Sequence, residues 1–258
     1  MAWKTFPYPE DAYVYTAAGL KKAWPRLHAN DAEPYPAKAE LVQAWIAYHA
    51  GDFEKAAELG LAQGADGYSV AHRATCIYAT YLEASEKKKL AMFLEVSGRC
   101  EQHQEEQPKN AAAYYWHAYS LGRYAQGISV VKALAQGIGA KVKNSLDTAI
   151  KLAPKHADAH IALGSYHAEI VDKVGAMIGG LTYGAKKEEG YKLFKKALEL
   201  NPDSAIARIE YANALAMLDG KKKMDEAVAL YEEAAAFEAR DANERLDVEL
   251  AKAEIEEE

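Results

Sequence analysis

The chain has 258 residues, half of them hydrophobic and 27% charged, an ordinary globular composition with enough apolar material for a sizeable core. The net charge of −7 is concentrated at one end: residues 241–258 hold eight acids against Arg245 and Lys252, leaving the body near neutral. That excludes nucleic acid as the main partner, since phosphate binding needs a clustered basic field, and no apolar run reaches the ~18 residues of a membrane span.

The first nine residues, Met1-Ala2-Trp3-Lys4-Thr5-Phe6-Pro7-Tyr8-Pro9, hold neither the apolar stretch of a secretory signal nor a lipobox cysteine, which predicts a cytoplasmic chain. Residues 10–30, with Ala12, Leu20 and Trp24, read as a helix capping the first repeat, so that 1–35 form an N-terminal cap. The unit at 36–70 contains Gly51-Asp52-Phe53-Glu54-Lys55-Ala56, where a glycine ends one helix and an aromatic and an alanine seat the next. The unit at 71–108 is degenerate. Cys76 and Cys100 fall on its predicted helices with no CxxC or zinc spacing, and read as reduced core cysteines.

From residue 104 onward a repeat becomes visible. Three helix ends close on Pro108, Pro154 and Pro202, and each proline is followed by an alanine-rich helix start at Ala111, Ala157 and Ala205. Proline cannot continue the preceding helix, so it sets the break between hairpins. Ala118, Gly164 and Ala212 then place small residues where paired helices meet, each followed three positions later by a large one, Leu121, His167 and Leu215.

The units at 109–154 and 155–202 are longer than the last, 203–240. From Pro108 to Pro154 is 46 residues and from Pro154 to Pro202 is 48, where a plain two-helix repeat takes about 34. The extra residues are apolar, with Ile128, Val130, Val131, Leu134 and Ile138 in one insertion and Val171, Val174 and Ile178 in the other. Solvent loops are not built this way. The reading is that hairpin helices are lengthened, with glycines where backbones pass closely. The added material thickens the core, lines a hydrophobic groove, or forms a subunit contact. Residues 241–258 read as an acidic closing helix.

These residues resemble the tetratricopeptide (TPR) superfamily, in which a small residue, an aromatic, two alanines and a closing proline recur. The resemblance covers residues 36–238. It implies an all-α, right-handed superhelical solenoid of antiparallel helix hairpins. The two enlarged units, with Ala112-Ala113-Tyr114-Tyr115-Trp116, the Gly179-Gly180 step and Gly190-Tyr191-Lys192-Leu193-Phe194, resemble the TatT family of TPR proteins associated with TRAP transporters. That resemblance implies a cleft for small or hydrophobic ligands in proteins that are sometimes oligomeric. This chain differs from that family in showing no export signal.

Counting inward positions from the alanine after each proline gives Ala112, Tyr115, Tyr119 and Arg123; then Asp158, Ile161, Ser165 and Glu169; then Ile206, Ile209, Asn213 and Met217. The candidate concave-face residues are Tyr115, Tyr119, Arg123, Ile161, Ile206, Ile209, Asn213 and Met217. Such a face suits a protein or peptide partner, or a small apolar ligand; a homo-oligomer is a further reading. The acidic closing helix or the Tyr-Pro-rich N-terminus could instead fold into the groove.

No phosphate loop, zinc helix, nucleophile elbow or dinucleotide fingerprint is present. His156 and His160 have metal-ligand spacing, but His156 falls in the turn before the helix and no third ligand is evident. The expectation is a non-catalytic scaffold with no cofactor and no metal.

Overall fold

The computed structural model describes residues 3–256, which form thirteen α-helices and no strand. α1 (Ala17–Leu27) precedes five antiparallel pairs: α2 (Ala39–His49) with α3 (Phe53–Leu61), α4 (Tyr68–Tyr81) with α5 (Glu86–Glu106), α6 (Ala111–Ile128) with α8 (Ile138–Leu152), α9 (Ala157–Tyr183) with α10 (Lys187–Leu200), and α11 (Ala205–Asp219) with α12 (Met224–Ala235). The short α7 (Val130–Ala135) lies between α6 and α8, and α13 (Ala242–Glu256) ends the array. Each pair packs on itself and on its neighbours, the stacked arrangement of a TPR-like solenoid.

Local chemistry sets the helix starts. Asp52, Ser85, Asn110 and Ser204 each accept a backbone N–H two or three residues on, at 3.0–3.4 Å. Caps of this kind contribute about 1 kcal/mol each. Pro108, Pro154 and Pro202 sit in the turns just after α5, α8 and α10.

The α9/α10 pair shows why its small residues matter. A Cβ at Gly164 would meet three ring carbons of Phe194 at 3.0–3.1 Å, and one at Gly190 would stand 3.2 Å from the Gly164 carbonyl oxygen. Phe194 is fully buried in that notch.

The two insertions differ from simple lengthened helices. After α6 the chain turns through Ser129 (φ 89), forms α7, and turns again through Gly137 (φ 76) into α8. The second insertion extends α9 to Tyr183 with a break at Gly175, where φ is 80 and ψ 158. Nothing lies within 4 Å of where a Gly175 Cβ would stand. That glycine supplies a left-handed φ rather than the close helix passage expected from its spacing.

Two apolar clusters share α9. Leu163, Tyr166 and Ile170 join the larger core, which runs from the N-terminal segment through α8; Ile161 and Ala168 join the smaller one, with α10–α13. α13 also bridges them, giving Ala242 and Leu246 to the larger and Val248 and Ala251 to the smaller. The N-terminal segment runs back over the array. Trp3 stacks on Tyr78 at 4.2 Å, Glu10 meets Arg245 at 3.0 Å, and the Tyr15 hydroxyl donates to the Arg240 carbonyl at 2.8 Å. The two ends of the solenoid are therefore tied together.

Candidate functional site

The inward sides of α4, α6 and α9 and the first turn of α11 surround a cavity on the concave side. Its volume is about 170 Å³, on a scale where a benzene-sized hole is roughly 150 Å³. Counted out to its open mouth, the free space is about 1430 Å³. Asp158 and Glu169, eleven residues apart on α9, both line it, so the cavity runs roughly 16 Å along that helix.

Its two ends differ in chemistry. Beside the C-terminal half of α6, the wall consists of Val130, Ala133 and Leu134 from α7 and Ile138, Val142 and Leu146 from α8. The first insertion thus lines the cavity. The second does not: Met177, Ile178 and Leu181 are 75%, 50% and 86% exposed.

The other end, where α1 and α13 meet the array, is polar. Arg73 of α4 is buried, pairs with Asp31, and donates from Nε to the Tyr48 hydroxyl at 2.8 Å. Tyr48 in turn donates to Asn243 Oδ1 of α13 at 2.6 Å. Tyr81 donates to Asp247, which also accepts from Asn243. Arg26 bridges Glu244 at 2.7 Å and Asp203 at 3.2 Å. Asn30, just after α1, donates its amide to Asp158 Oδ2 at 2.7 Å, while its carbonyl accepts the Asp158 N–H at 2.9 Å.

Burial dominates the titration here. It pushes the Asp158 carboxyl up to about 6 and Asp247 well above the carboxylate range, and it drives His28 and His156 down to about 4. Asp31 lies below the carboxylate range even though burial opposes this, because His28 and Arg73 stand beside it. Between the two ends, Glu210 accepts from Ser165 at 3.0 Å and from Arg123 at 3.3 Å, and the Gln126 amide donates to Glu169.

Of the residues expected on the concave face, Tyr115, Tyr119, Arg123, Ile161 and Ile206 line this cavity, together with Asp158, Ser165 and Glu169. The last unit departs from the expected register. Ile209 is 1% exposed inside the smaller core, Asn213 accepts from the Tyr231 hydroxyl of α12, and Met217 is 38% exposed. Glu210 lines the cavity instead. The reason is that α13 packs against α11 and takes a face that an open array would leave inward. Sequence reasoning also missed the polar end. Its one local signal was Arg73, a lone charge within the apolar run Val70–Ile77.

Chemically suggestive groups elsewhere lead nowhere. Ser145 Oγ lies 2.8 Å from His117 Nδ1, with Glu101 3.6 Å from Nε2, but Ser145 and His117 are buried away from the cavity. His156 Nδ1 accepts the Ala159 N–H as the cap of α9, and His160 Nε2 lies 3.1 Å from the Pro154 carbonyl, so the two rings serve the helix start. Among the described residues no group of three or more His, Cys, Asp or Glu is placed to hold a metal, and no helix is long and apolar enough to cross a membrane. Cys76 and Cys100 are free, buried thiols pushed up by burial.

The model of the family described as regulator of microtubule dynamics protein 1-3 matches residues 47–257, from the end of α2 through α13. The chain belongs to this family. No curated protein matches the sequence. Among solved structures it is similar to TTC0263, a thermophilic TPR protein of Thermus thermophilus, at 17% identity and a TM-score of 0.57, over 83% of this chain and 97% of that one. At that identity the likeness shows the fold, a TPR-like solenoid. The family matched is not the TatT family that the enlarged repeats resemble.

Proposed function

We propose that this chain is a non-catalytic binding protein whose concave cavity holds a slender guest with an apolar body. The supporting observation is closure. α1 and α13 stand across one end of the concave face, leaving a lined cavity with one polar and one apolar end. A peptide laid along a TPR groove needs that end free. The apolar length beside α7 and α8 suits a small hydrophobic ligand, as the TatT resemblance also implies. Native mass spectrometry of freshly purified protein tests this reading. A bound small molecule is expected; a ligand-free spectrum and no thermal shift across a panel of apolar compounds would end it.

A second reading, a protein partner, draws on the TPR-like fold and on the exposed Met177, Ile178 and Leu181. The family's description as regulator of microtubule dynamics supports a partner of that kind. On this reading the docking surface is the tip of α9 rather than the concave face. A pull-down comparing the wild type with Leu181→Glu separates the two: loss of partner with ligand retained would assign them to different surfaces. Buried free thiols fit a reducing compartment such as the cytoplasm.

A further inference from the structure

The polar end of the cavity has an excess of one charge. Seven carboxyl side chains line the cavity against three guanidiniums, with no lysine or histidine. All three arginines are engaged: Arg26 by Asp203 and Glu244, Arg73 by Asp31, and Arg123 by Glu210. Asp158 and Asp247 are held only by neutral donors, the Asn30 amide for one and Tyr81 with Asn243 for the other.

Unmet hydrogen-bonding capacity points the same way. Two buried polar atoms of the lining side chains lack a partner, Asn30 Oδ1 and Asp158 Oδ1, and both are acceptors. A buried acceptor without a donor costs about 1–3 kcal/mol, so a guest that brings donors is favoured. Tyr115, beside this corner on α6, offers a ring to a cation. An anionic head would meet the Asp158 carboxylate, while Arg73 is already engaged by Asp31 and the Tyr48 hydroxyl.

Resting on the cavity reading above, we propose that the guest is a cationic amphiphile, a protonated amine seated by Asp158 and Asn30, with its apolar chain running toward α7 and α8. The ammonium charge pairs with the Asp158 carboxylate beside Asn30, and the chain covers Val130, Leu134 and Val142. The groups facing Asp158 are Asn30 and Asp31 after α1, Arg73 of α4, Tyr115 of α6 and Asp247 of α13. With its carboxyl at about 6, Asp158 is ionised at neutral pH and loses its charge on mild acidification. Amine binding therefore weakens as pH falls through about 6.

Calorimetric titration of the full chain with dodecylamine, dodecanol and dodecanoate, each below its solubility or micellar limit, tests the assignment. The amine is expected to bind at least roughly tenfold more tightly than the other two at pH 7.5 and to lose that preference at pH 5. Asp158→Asn is expected to remove the preference, with an unchanged circular dichroism spectrum certifying the variant's fold; Asp247→Asn serves as the second variant. Equal or tighter binding of dodecanoate or dodecanol overturns the cationic head and leaves the cavity reading standing. An amine preference that survives both substitutions overturns the assignment to this corner. Failure of all three probes overturns the cavity reading itself.

Discussion

His49 Nδ1 stands 2.7 Å from Asp241 Oδ2, with both side chains buried and 192 positions apart in the chain. The contact continues inward: His49 Nε2 lies 3.3 Å from His28 Nε2, and His28 Nδ1 lies 2.9 Å from Asp31 Oδ1. A neutral imidazole has one donor and one acceptor nitrogen. Each ring thus sets one nitrogen on a carboxylate and the other against its neighbour's ring. Burial pushes Asp241 upward, but the His49 bond and charge, the Glu244 N–H and Arg73 together hold it below the carboxylate range. Asp241 starts α13, and so a buried His49–Asp241 hydrogen bond anchors the closing helix to α2.

Asp241→Asn keeps the cap that accepts the Glu244 N–H and removes the charge. It is expected to cost about 1–3 kcal/mol, because the buried hydrogen bond to His49 loses its charged acceptor. Urea unfolding measures the loss, and hydrogen exchange locates it. Amides of α13 should exchange faster while those of α6 stay protected; unchanged protection in α13 would mean that the pair does not hold the helix.

A pH dependence arises from His156, which is buried at the start of α9 against Tyr115. Its folded value of about 4 lies below the unfolded value of roughly 6.5. The unfolded chain therefore takes up the proton first. The contribution to stability is complete above about 6.5 and is lost as pH falls toward 4, amounting to about 2 kcal/mol at pH 5. His156→Asn retains a capping oxygen and removes the titration. The variant is expected to lose about 2 kcal/mol less than wild type between pH 7 and pH 5, whatever its starting stability. Parallel stability curves over that range would contradict this.

Two glycines should respond oppositely to alanine. Gly175→Ala forces a Cβ into φ 80 and is expected to destabilise by about 1–3 kcal/mol. Gly98, exposed in the middle of α5 with open space around its Cα, should tolerate alanine and gain about 0.5–1 kcal/mol. Thermal melts of both variants decide the matter.

The tip of α9 carries Met177 and Leu181 into solvent. If it forms a contact between copies, light scattering should show the wild type associating as concentration rises and Met177→Ser/Leu181→Ser remaining monomeric, with stability changed by no more than about 0.5 kcal/mol. A wild type that stays monomeric at high concentration would remove self-association and leave the tip to another partner.

Local rules made the repeat legible. Proline after α5, α8 and α10 and the small residue Gly164 opposite Phe194 act within a hairpin, where spacing along the chain translates directly into position. The inward residues of α6 and α9 could be read because their packing depends on neighbouring helices. The helical pairs, their order and one stretch of the cavity wall are therefore written in the chain. Closure of the array on itself is a tertiary property. It sums small rotations over five units, and no local pattern records that sum. It brings Asp241 to His49, Asn243 to Tyr48 and Asp158 to Asn30, turns Glu210 inward in place of Ile209, and makes one end of an apolar face into a buried, negatively charged corner.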